Sequence, residues 1–103
     1  MRKVTLTNWH FEPKIIATET YKRVALKFYG YLFKDNSRFE TNFVARRLSS
    51  NQFLTIDGRL IRLTGKLDYN SCKQYFKKDE GKFLKLFELG LPENFMQIIE
   101  LLI

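Results

Sequence analysis

The sequence predicts an α+β domain in which an antiparallel β-sheet, curved or partly barrel-like, is followed by two or three C-terminal helices. Three observations predict it. Strand-like alternation runs through the first two thirds of the chain, an Asp-Gly turn signal lies at residues 57–58, and the apolar period becomes helical after Asp68. At 103 residues, the chain is expected to be one domain, residues 1–103, of a longer protein.

Two extended regions are predicted before residue 34. Residues 4–16 favour an edge strand or two short strands, because Pro13 cannot donate a hydrogen bond to a β-ladder. Residues 24–33 favour a central strand, since both of its faces are apolar or aromatic. Gly30 in the middle of this strand indicates a bulge or close packing. The aromatic residues on one face of this strand are Tyr29, Tyr31 and Phe33. We expect this face to pack under a helix, to contact a partner protein or to stack against nucleic-acid bases.

Residues 39–48 are predicted to form the next strand, and a hairpin follows around residues 57–58. An Asp-Gly pair favours a two-residue type I′ turn, which needs positive φ at both positions. Such a turn pairs Leu54 with Ile61 and places both on the buried face, with Arg62 on the opposite face. The strands are therefore expected to form an antiparallel meander.

Three short helices are predicted after Asp68. Asn70 or Ser71 is expected to cap the first helix, and Asp79 the second, which ends at Gly90 as its C′ residue. Pro92 is expected at the first position of the third helix. That helix is too apolar to be exposed, so it either docks on the sheet or awaits a partner. The inward residues expected in the second helix are Phe83, Leu84, Leu86 and Phe87.

The composition limits the classes of function. One cysteine, Cys72, cannot form an internal disulfide and is expected to be a small half-buried residue. His10 has no metal-ligand neighbours at suitable spacing, and no catalytic motif is present. No segment approaches the ~20 apolar residues of a membrane span, and no signal peptide is recognised. We expect a soluble intracellular protein that is not an enzyme and needs no cofactor or metal.

The formal net charge of +7 is equally consistent with an acidic partner, which is DNA, RNA or an acidic protein surface, and with a solvated basic surface that has no dedicated partner. A nucleic-acid-binding module would use basic residues of the central hairpin region. Steep salt dependence would distinguish it from a protein-binding module. The candidate residues for nucleic-acid binding are Arg46, Arg47, Arg59, Arg62 and Lys66.

Several short motifs follow one another in an order that carries a family resemblance. The chain opens with Leu6-Thr7-Asn8-Trp9 and closes with Phe83, Phe87 and Gly90-Leu91-Pro92. In these motifs it resembles the SANTA (SANT-associated) domain, whose members show Leu-x-Asn-Trp and Gly-Phe-Pro at the same places. Leu91 and Phe95 replace the Phe and Trp usual in the family. The residues that carry the signature are Trp9, Arg47, Thr55, Gly58, Leu63, Gly65, Asp68, Gly90 and Pro92.

The resemblance implies a non-catalytic protein–protein interaction module in the nucleus, at centromeric chromatin. Proteins similar to this one help direct deposition of the centromeric histone variant, and the implied partners are centromere-licensing complex proteins, CENP-C or the centromeric nucleosome. A homodimer is also an open expectation. Read physically, most signature residues are architectural, with Gly65 expected to allow close packing and Arg47 expected to pair with Asp68 or with a partner's carboxylate. The expected contact residues are Tyr29, Tyr31, Phe33, Phe95, Ile99 and Leu102.

Overall fold

The computed structural model describes residues 3–79 and 81–103, and within them it contains six strands and three short helices. The strands are β1 (Lys3–Ala17), β2 (Lys22–Leu32), β3 (Arg38–Glu40), β4 (Val44–Ser49), β5 (Gln52–Thr55) and β6 (Leu60–Leu63). The helices are α1 (Tyr69–Lys73), a 3₁₀ helix (Leu84–Phe87) and α2 (Phe95–Leu102). The order of sheet and helices agrees with the predicted α+β class.

The six strands form one open, mixed sheet in the order β3-β2-β1-β6-β5-β4. The prediction of a purely antiparallel meander is wrong at one pair, because β6 runs parallel to β1, with Lys3 beside Leu60 and Leu6 beside Leu63. The β2–β3 hairpin extends the sheet on one side of β1, and the β4–β5–β6 meander extends it on the other. As a result β1 is central at its N-terminal end.

Strand β1 is continuous through Pro13, so two short strands do not form, and around Pro13 it pairs only with β2, which agrees with the alternative of an edge strand. The Phe11 N–H donates to Cys72 Sγ, 3.3 Å away, and therefore points away from β2. Two residues later the Pro13 nitrogen faces the same way, where no strand is paired and no ladder bond is lost. The register shifts between Thr7 and His10, and a Cβ on Gly30 would lie 3.0 Å from the Thr7 carbonyl oxygen. The expected close packing at Gly30 is confirmed.

The β5–β6 hairpin has a three-residue loop, so the predicted register is wrong by one residue. Phe53 pairs with Ile61, and Leu54 pairs with Leu60. The Thr55 hydroxyl accepts from the Arg59 N–H at 3.1 Å and donates to the Asp57 carboxylate, while Gly58 closes the loop at φ +83°. This is a type I turn followed by a left-handed glycine. Phe53, not Leu54, therefore shares the core with Ile61.

The two edge strands β3 and β4 are consecutive in the chain and are connected by residues 41–43. The Arg59 guanidinium carbon lies 5.5 Å from the centre of the Phe39 ring. Arg59 immediately precedes β6, and β3 lies three strands from β6, a separation of about 14 Å in a flat sheet. The sheet is not closed, and its predicted curvature stays a prediction.

The C-terminal helices begin and end differently from the prediction. Asp68 caps α1, accepting from the Ser71 N–H at 3.2 Å. The N-cap of the 3₁₀ helix is Phe83 and not the predicted Asp79, although buried Asp79 Oδ1 accepts from the Phe83 N–H and the Leu84 N–H just before that helix and at its start. Only Leu84 and Phe87 of the four predicted inward residues are buried. The predicted role of Pro92 is wrong, because α2 begins three residues later and Pro92 O accepts from the Phe95 N–H at 3.1 Å.

The core lies between one face of the sheet and these helices. Trp9 is fully buried, as predicted, and its ring centre is 5.9 Å from that of Phe28. The centre of the Phe28 ring lies 5.4 Å from that of Phe11 and 4.6 Å from that of Phe53. Each such aromatic pair contributes about 1 kcal/mol beyond the area that it buries. In the part of the chain that the structure describes, no helix has the length and apolarity needed to span a membrane.

Candidate interaction surface

The outer face of β1, β2 and β3 forms a shallow cavity of ≈490 Å³ that we call the outer groove. Across the sheet, His10 pairs with Tyr29 and Tyr29 with Glu40, while Tyr31 pairs with Arg38. Tyr29 and Tyr31 alternate along β2 with core residues such as Phe28, so they lie on the face opposite the core. The helices cover the core face, so the expected packing of the tyrosine face under a helix does not occur. The other lining residues are Asn8, Glu12, Gly30, Phe39, Asp68 and Ser71.

The charges in the outer groove are mixed and locally paired. His10 Nε2 lies 3.2 Å from a Glu12 carboxylate oxygen, and the His10 ring stacks on Tyr29 with 5.2 Å between ring centres. Lys27 Nζ donates to Glu40 at 3.2 Å, which lowers the pKa of Glu40. Burial, followed by the nearby carboxylates of Glu12 and Glu40, raises the pKa of Tyr29 to about 12. Tyr29 is therefore a neutral hydroxyl at physiological pH, able to donate and accept hydrogen bonds.

Phe33 lies at the end of this strand and is 69% exposed. Its N–H donates to the Thr5 carbonyl at 2.9 Å, so the backbone at Phe33 is tied to β1. The turn that follows is fixed by the Asn36 N–H, which donates to the Leu32 carbonyl at 2.8 Å with Asn36 at φ +58°. The ring is thus presented from a hydrogen-bonded position on the same side of β2 as the two tyrosines.

The other three expected contact residues lie in α2 and differ from one another. Ile99 and Leu102 are buried in the chain's own core, at 0% and 3% exposure, so they are not available to a partner. Phe95 is half-buried against the same core. The helix therefore docks on the sheet, which was one of the two outcomes expected. Leu101, on its outer side, is 68% exposed and was not among the predicted residues.

The five predicted nucleic-acid contacts do not form one patch. Arg46 and Arg62 are exposed and share the outer face of the β4–β5–β6 meander, two strands apart. Arg47 Nε donates to the Leu91 carbonyl at 2.8 Å, so the expected Arg47–Asp68 pair is wrong, because Asp68 is occupied in capping α1. The remaining two contact neighbouring groups: Arg59 lies 3.8 Å from Asp57, and Lys66 lies 3.7 Å from Glu88.

Other signature positions have physical roles that the structure defines. Gly58 closes the hairpin loop as expected. Gly65 adopts φ +75°, but a Cβ there would approach only Thr7 Oγ1, at 3.9 Å, so the need for positive φ replaces the predicted close packing. Gly90 follows the 3₁₀ helix and packs against the Ser50 backbone, where a Cβ would lie 1.9 Å from the carbonyl oxygen. Leu63 and Thr55 are buried.

The reactive side-chain types are mostly engaged in structure. Cys72 is fully buried, and it both accepts from the Phe11 N–H and donates to the Phe11 carbonyl at 3.2 Å. Burial raises the pKa of the Cys72 thiol to about 12, so the nucleophilic thiolate is not populated at neutral pH. Among residues 3–79 and 81–103, His, Cys, Asp and Glu side chains do not gather into a group of three suited to a metal ion.

Three charged residues of the outer groove were missed in the sequence, namely Glu12, Arg38 and Glu40. They are cross-strand or diagonal neighbours of the tyrosines, so the β2–β3 register identifies two of them directly. The sequence predicts one strand over residues 39–48, whereas the structure contains two strands there, β3 and β4, which lie at opposite edges of the sheet. Recognising the turn at residues 33–37 as a tight hairpin would have found Arg38 and Glu40.

A protein-family comparison agrees with the order of motifs along the chain. The model described as SANTA (SANT Associated) matches residues 4–98, which include almost the entire sheet, α1, the 3₁₀ helix and the first half of α2. No curated protein and no solved structure is significantly similar to this chain.

Proposed function

This chain belongs to the SANTA family, and from that premise we propose that it is a non-catalytic protein–protein interaction module of a nuclear centromere assembly factor. In this proposal the module helps direct deposition of the centromeric histone variant. Its partners are centromere-licensing complex proteins, CENP-C or the centromeric nucleosome, which the family resemblance suggests.

The observation that carries the proposal is the outer groove, whose aromatic residues remain partly exposed on a sheet face that is bordered by the start of α1 and otherwise uncovered by helices. Tyrosine and arginine are enriched at the centres of protein interfaces, because they combine a large contact area with hydrogen-bonding groups. Tyr29, Tyr31 and Arg38 provide this combination on adjacent strands. Phe33 extends the same side of β2 beyond the groove.

The pairing of charges in the groove also supports a protein partner. Glu12 and Glu40 lie on the same face as Lys27 and Arg38, so a polyanion would meet two carboxylates there. Like-charge contacts of this kind oppose binding of a nucleic-acid backbone and help to select partners. The alternative function, DNA or RNA binding, would instead depend on Arg46 and Arg62 of the meander.

The test places a single groove substitution, Tyr31→Ser, in the full-length protein and measures its association with centromeric chromatin by chromatin immunoprecipitation and proximity labelling. The matched control is Tyr21→Ser, since Tyr21 is 54% exposed and lies outside the groove. We expect the groove variant to lose specific neighbours and the control to retain them. Equal labelling patterns for the two variants would remove the groove from the proposal.

A second measurement separates the two function classes. The mass of the purified domain is determined by light scattering with and without a short DNA duplex, at low and moderate salt. The proposal expects a mass that is indifferent to DNA, as a monomer or as a homodimer. A DNA complex that dissociates steeply as salt rises, and that Arg62→Glu abolishes, would transfer the function to nucleic-acid binding.

A further inference from the structure

A second cavity, of ≈560 Å³, lies at the end of the sheet where β1 begins and β2 ends, and we call it the end pocket. Four separate segments reach it: the start of β1, the turn after β2, strand β3 and the residue before β6. It thus brings together residues from distant parts of the chain. The lining residues are Lys3, Val4, Thr5, Leu32, Phe33, Lys34, Phe39 and Arg59.

The charge of the end pocket is of one sign. Lys3, Lys34 and Arg59 line it, and none of its lining residues is acidic. Two carboxylates lie outside the lining but close to its cations: Asp57, 3.8 Å from Arg59 Nε, and Asp35, which follows Lys34 in the chain. Three cations around a concave apolar surface produce a positive potential that attracts carboxylates or phosphates. This distinguishes the end pocket from the outer groove, whose charges are mixed.

The floor of the end pocket is apolar and its aromatic groups are held in position. Val4, Leu32 and Phe39 are partly buried and pack against the core. The Arg59 guanidinium lies over the Phe39 ring, which keeps the charge at the pocket and covers one face of that ring. Phe33 leaves 69% of its surface exposed beside this floor while its backbone is hydrogen-bonded to Thr5. A fixed aromatic residue beside an apolar floor suits an apolar anchor from a partner.

We propose that the end pocket binds an acidic peptide segment of a protein partner, with one large apolar side chain of the peptide packed against Phe33 and the pocket floor. Its flanking carboxylates pair with Lys3, Lys34 and Arg59. This inference rests on the proposed function and deepens it by naming the partner's chemistry. A single-stranded nucleic acid is less well matched, because Arg59 occupies a face of Phe39 and leaves Phe33 as the main stacking surface.

The test uses the purified 103-residue chain and a fluorescein-labelled peptide of Asp and Glu with one central Phe, with binding followed by fluorescence anisotropy. Two substitutions probe the pocket, Phe33→Ala and Lys34→Glu. Each has a matched control elsewhere on the surface: Leu89→Ala, since Leu89 is 68% exposed, and Lys82→Glu, which makes the same change in net charge. Circular dichroism verifies that all four variants are folded.

We expect each pocket variant to bind the peptide about tenfold or more weakly than the wild type does. Each control variant should change the affinity for the peptide less than about twofold. A peptide with Ser in place of the central Phe should bind about as weakly to the wild type as the Phe peptide binds to Phe33→Ala. No measurable binding to the wild type, or equal losses in pocket and control variants, overturns the inference. Tighter binding of a labelled single-stranded oligonucleotide that Phe33→Ala abolishes also overturns it, since the occupant would then be a nucleic acid.

The same variants in full-length protein separate this inference from the proposed function. If Tyr31→Ser removes the chromatin neighbours while the wild-type chain does not bind the acidic peptide, the proposed function stands and the end-pocket inference fails. If the peptide binds through the end pocket but no groove or pocket variant alters centromeric association, the end-pocket inference stands and the proposed function fails.

Discussion

Replacing the buried Gly90 by Ala should destabilise this domain more than the same replacement at the exposed turn residue Gly58. A Cβ at Gly90 would lie 1.9 Å from the Ser50 carbonyl oxygen and 2.7 Å from its carbon, both backbone atoms that a side-chain rotation cannot move. The turn between β4 and β5 would have to separate from the segment after the 3₁₀ helix. That separation stretches the hydrogen bond from the Leu91 N–H to the Ser50 carbonyl, now 2.6 Å.

The magnitude follows from two contributions. The residue has φ +146°, a region that L side chains rarely adopt, which costs about 2 kcal/mol. Loss of the hydrogen bond costs about 1 kcal/mol more. Gly90→Ala should therefore lower the free energy of unfolding by about 3 kcal/mol, which corresponds to a Tm decrease of about 15 °C for a domain of this size.

The control is Gly58→Ala, at φ +83° but with no heavy atom within 4 Å of the added Cβ. Only the backbone conformation opposes it, so the cost should be about 1 kcal/mol. Urea unfolding followed by the fluorescence of the single Trp9 measures both variants on one signal. The two losses in the free energy of unfolding could differ by less than about 0.5 kcal/mol, which is close to the error of the extrapolation. In that case the close approach of Gly90 to the Ser50 backbone would not be what makes Gly90 necessary.

Three further predictions concern buried or strained residues. Because the pKa of Cys72 is raised to about 12, its reaction with a disulfide reagent at pH 8 should be about a thousandfold slower in the native state than in urea, and equal rates would contradict its burial. The pKa of Tyr29 is raised from 10.0 to about 12, so the folded state holds the proton more tightly; stability is full below pH 10 and falls as pH rises towards 12. Tyr29→Phe should remove this dependence of the free energy of unfolding on pH, which is measured by urea unfolding at successive pH values between 10 and 12. The same pH dependence in the variant and the wild type would refute the raised pKa of Tyr29. Asn8 has φ +47°, so Asn8→Val should destabilise by about 2 kcal/mol in urea while Asn8→Gly is nearly neutral; equal effects would show that the backbone angle is not limiting.

The sequence predicts the local features of this fold well and the pairings between distant segments poorly. The burial of Trp9 and the close packing at Gly30 follow from the local alternation along the strands. The parallel pairing of β1 with β6 joins segments more than fifty residues apart, and no local signal encodes it. Because β6 pairs with β1 in parallel, the sheet consists of two antiparallel parts and is not the single meander that was predicted.

The hairpin shows how a small local ambiguity alters the assignment of faces. An Asp-Gly pair fits a two-residue loop, and it also fits the last two positions of a three-residue loop. The Thr55 hydroxyl favours the longer loop, since it bonds to both Asp57 and the Arg59 N–H. A one-residue shift moves each side chain of the strand to the other face, which is why Phe53 replaces Leu54 in the core.

The candidate surface was predicted in part for the same reasons. Alternation along β2 predicts Tyr29, Tyr31 and Phe33 on one face; Tyr29 and Tyr31 line the outer groove, whereas Phe33 follows β2 and lines the end pocket. Their charged neighbours depend on the β2–β3 register, which the sequence did not resolve. Ile99 was wrongly included because an apolar helix has the same composition whether it docks on its own sheet or on a partner.

The bulge in β1 lies within the family motif Leu6-Thr7-Asn8-Trp9 and affects which side chains face the outer groove and the end pocket. Leu6 and Trp9 are three residues apart, so a regular strand would place them on opposite faces, yet both are fully buried. Asn8 at positive φ accommodates the extra residue, because Asn adopts this conformation more readily than most residues.

The same shift in parity sets which side chains point outward on either side of the bulge. Beyond it, His10 and Glu12 face the outer groove. Before it, odd-numbered residues such as Lys3 face outward, while Val4 and Leu6 face the core. Gly30, directly across the sheet, leaves room for the bulge because a Cβ would lie only 3.2 Å from Trp9 Cα. A motif that forms part of the core therefore also determines which β1 side chains face outward, and a substitution that straightens β1 should change the outer groove and the end pocket together.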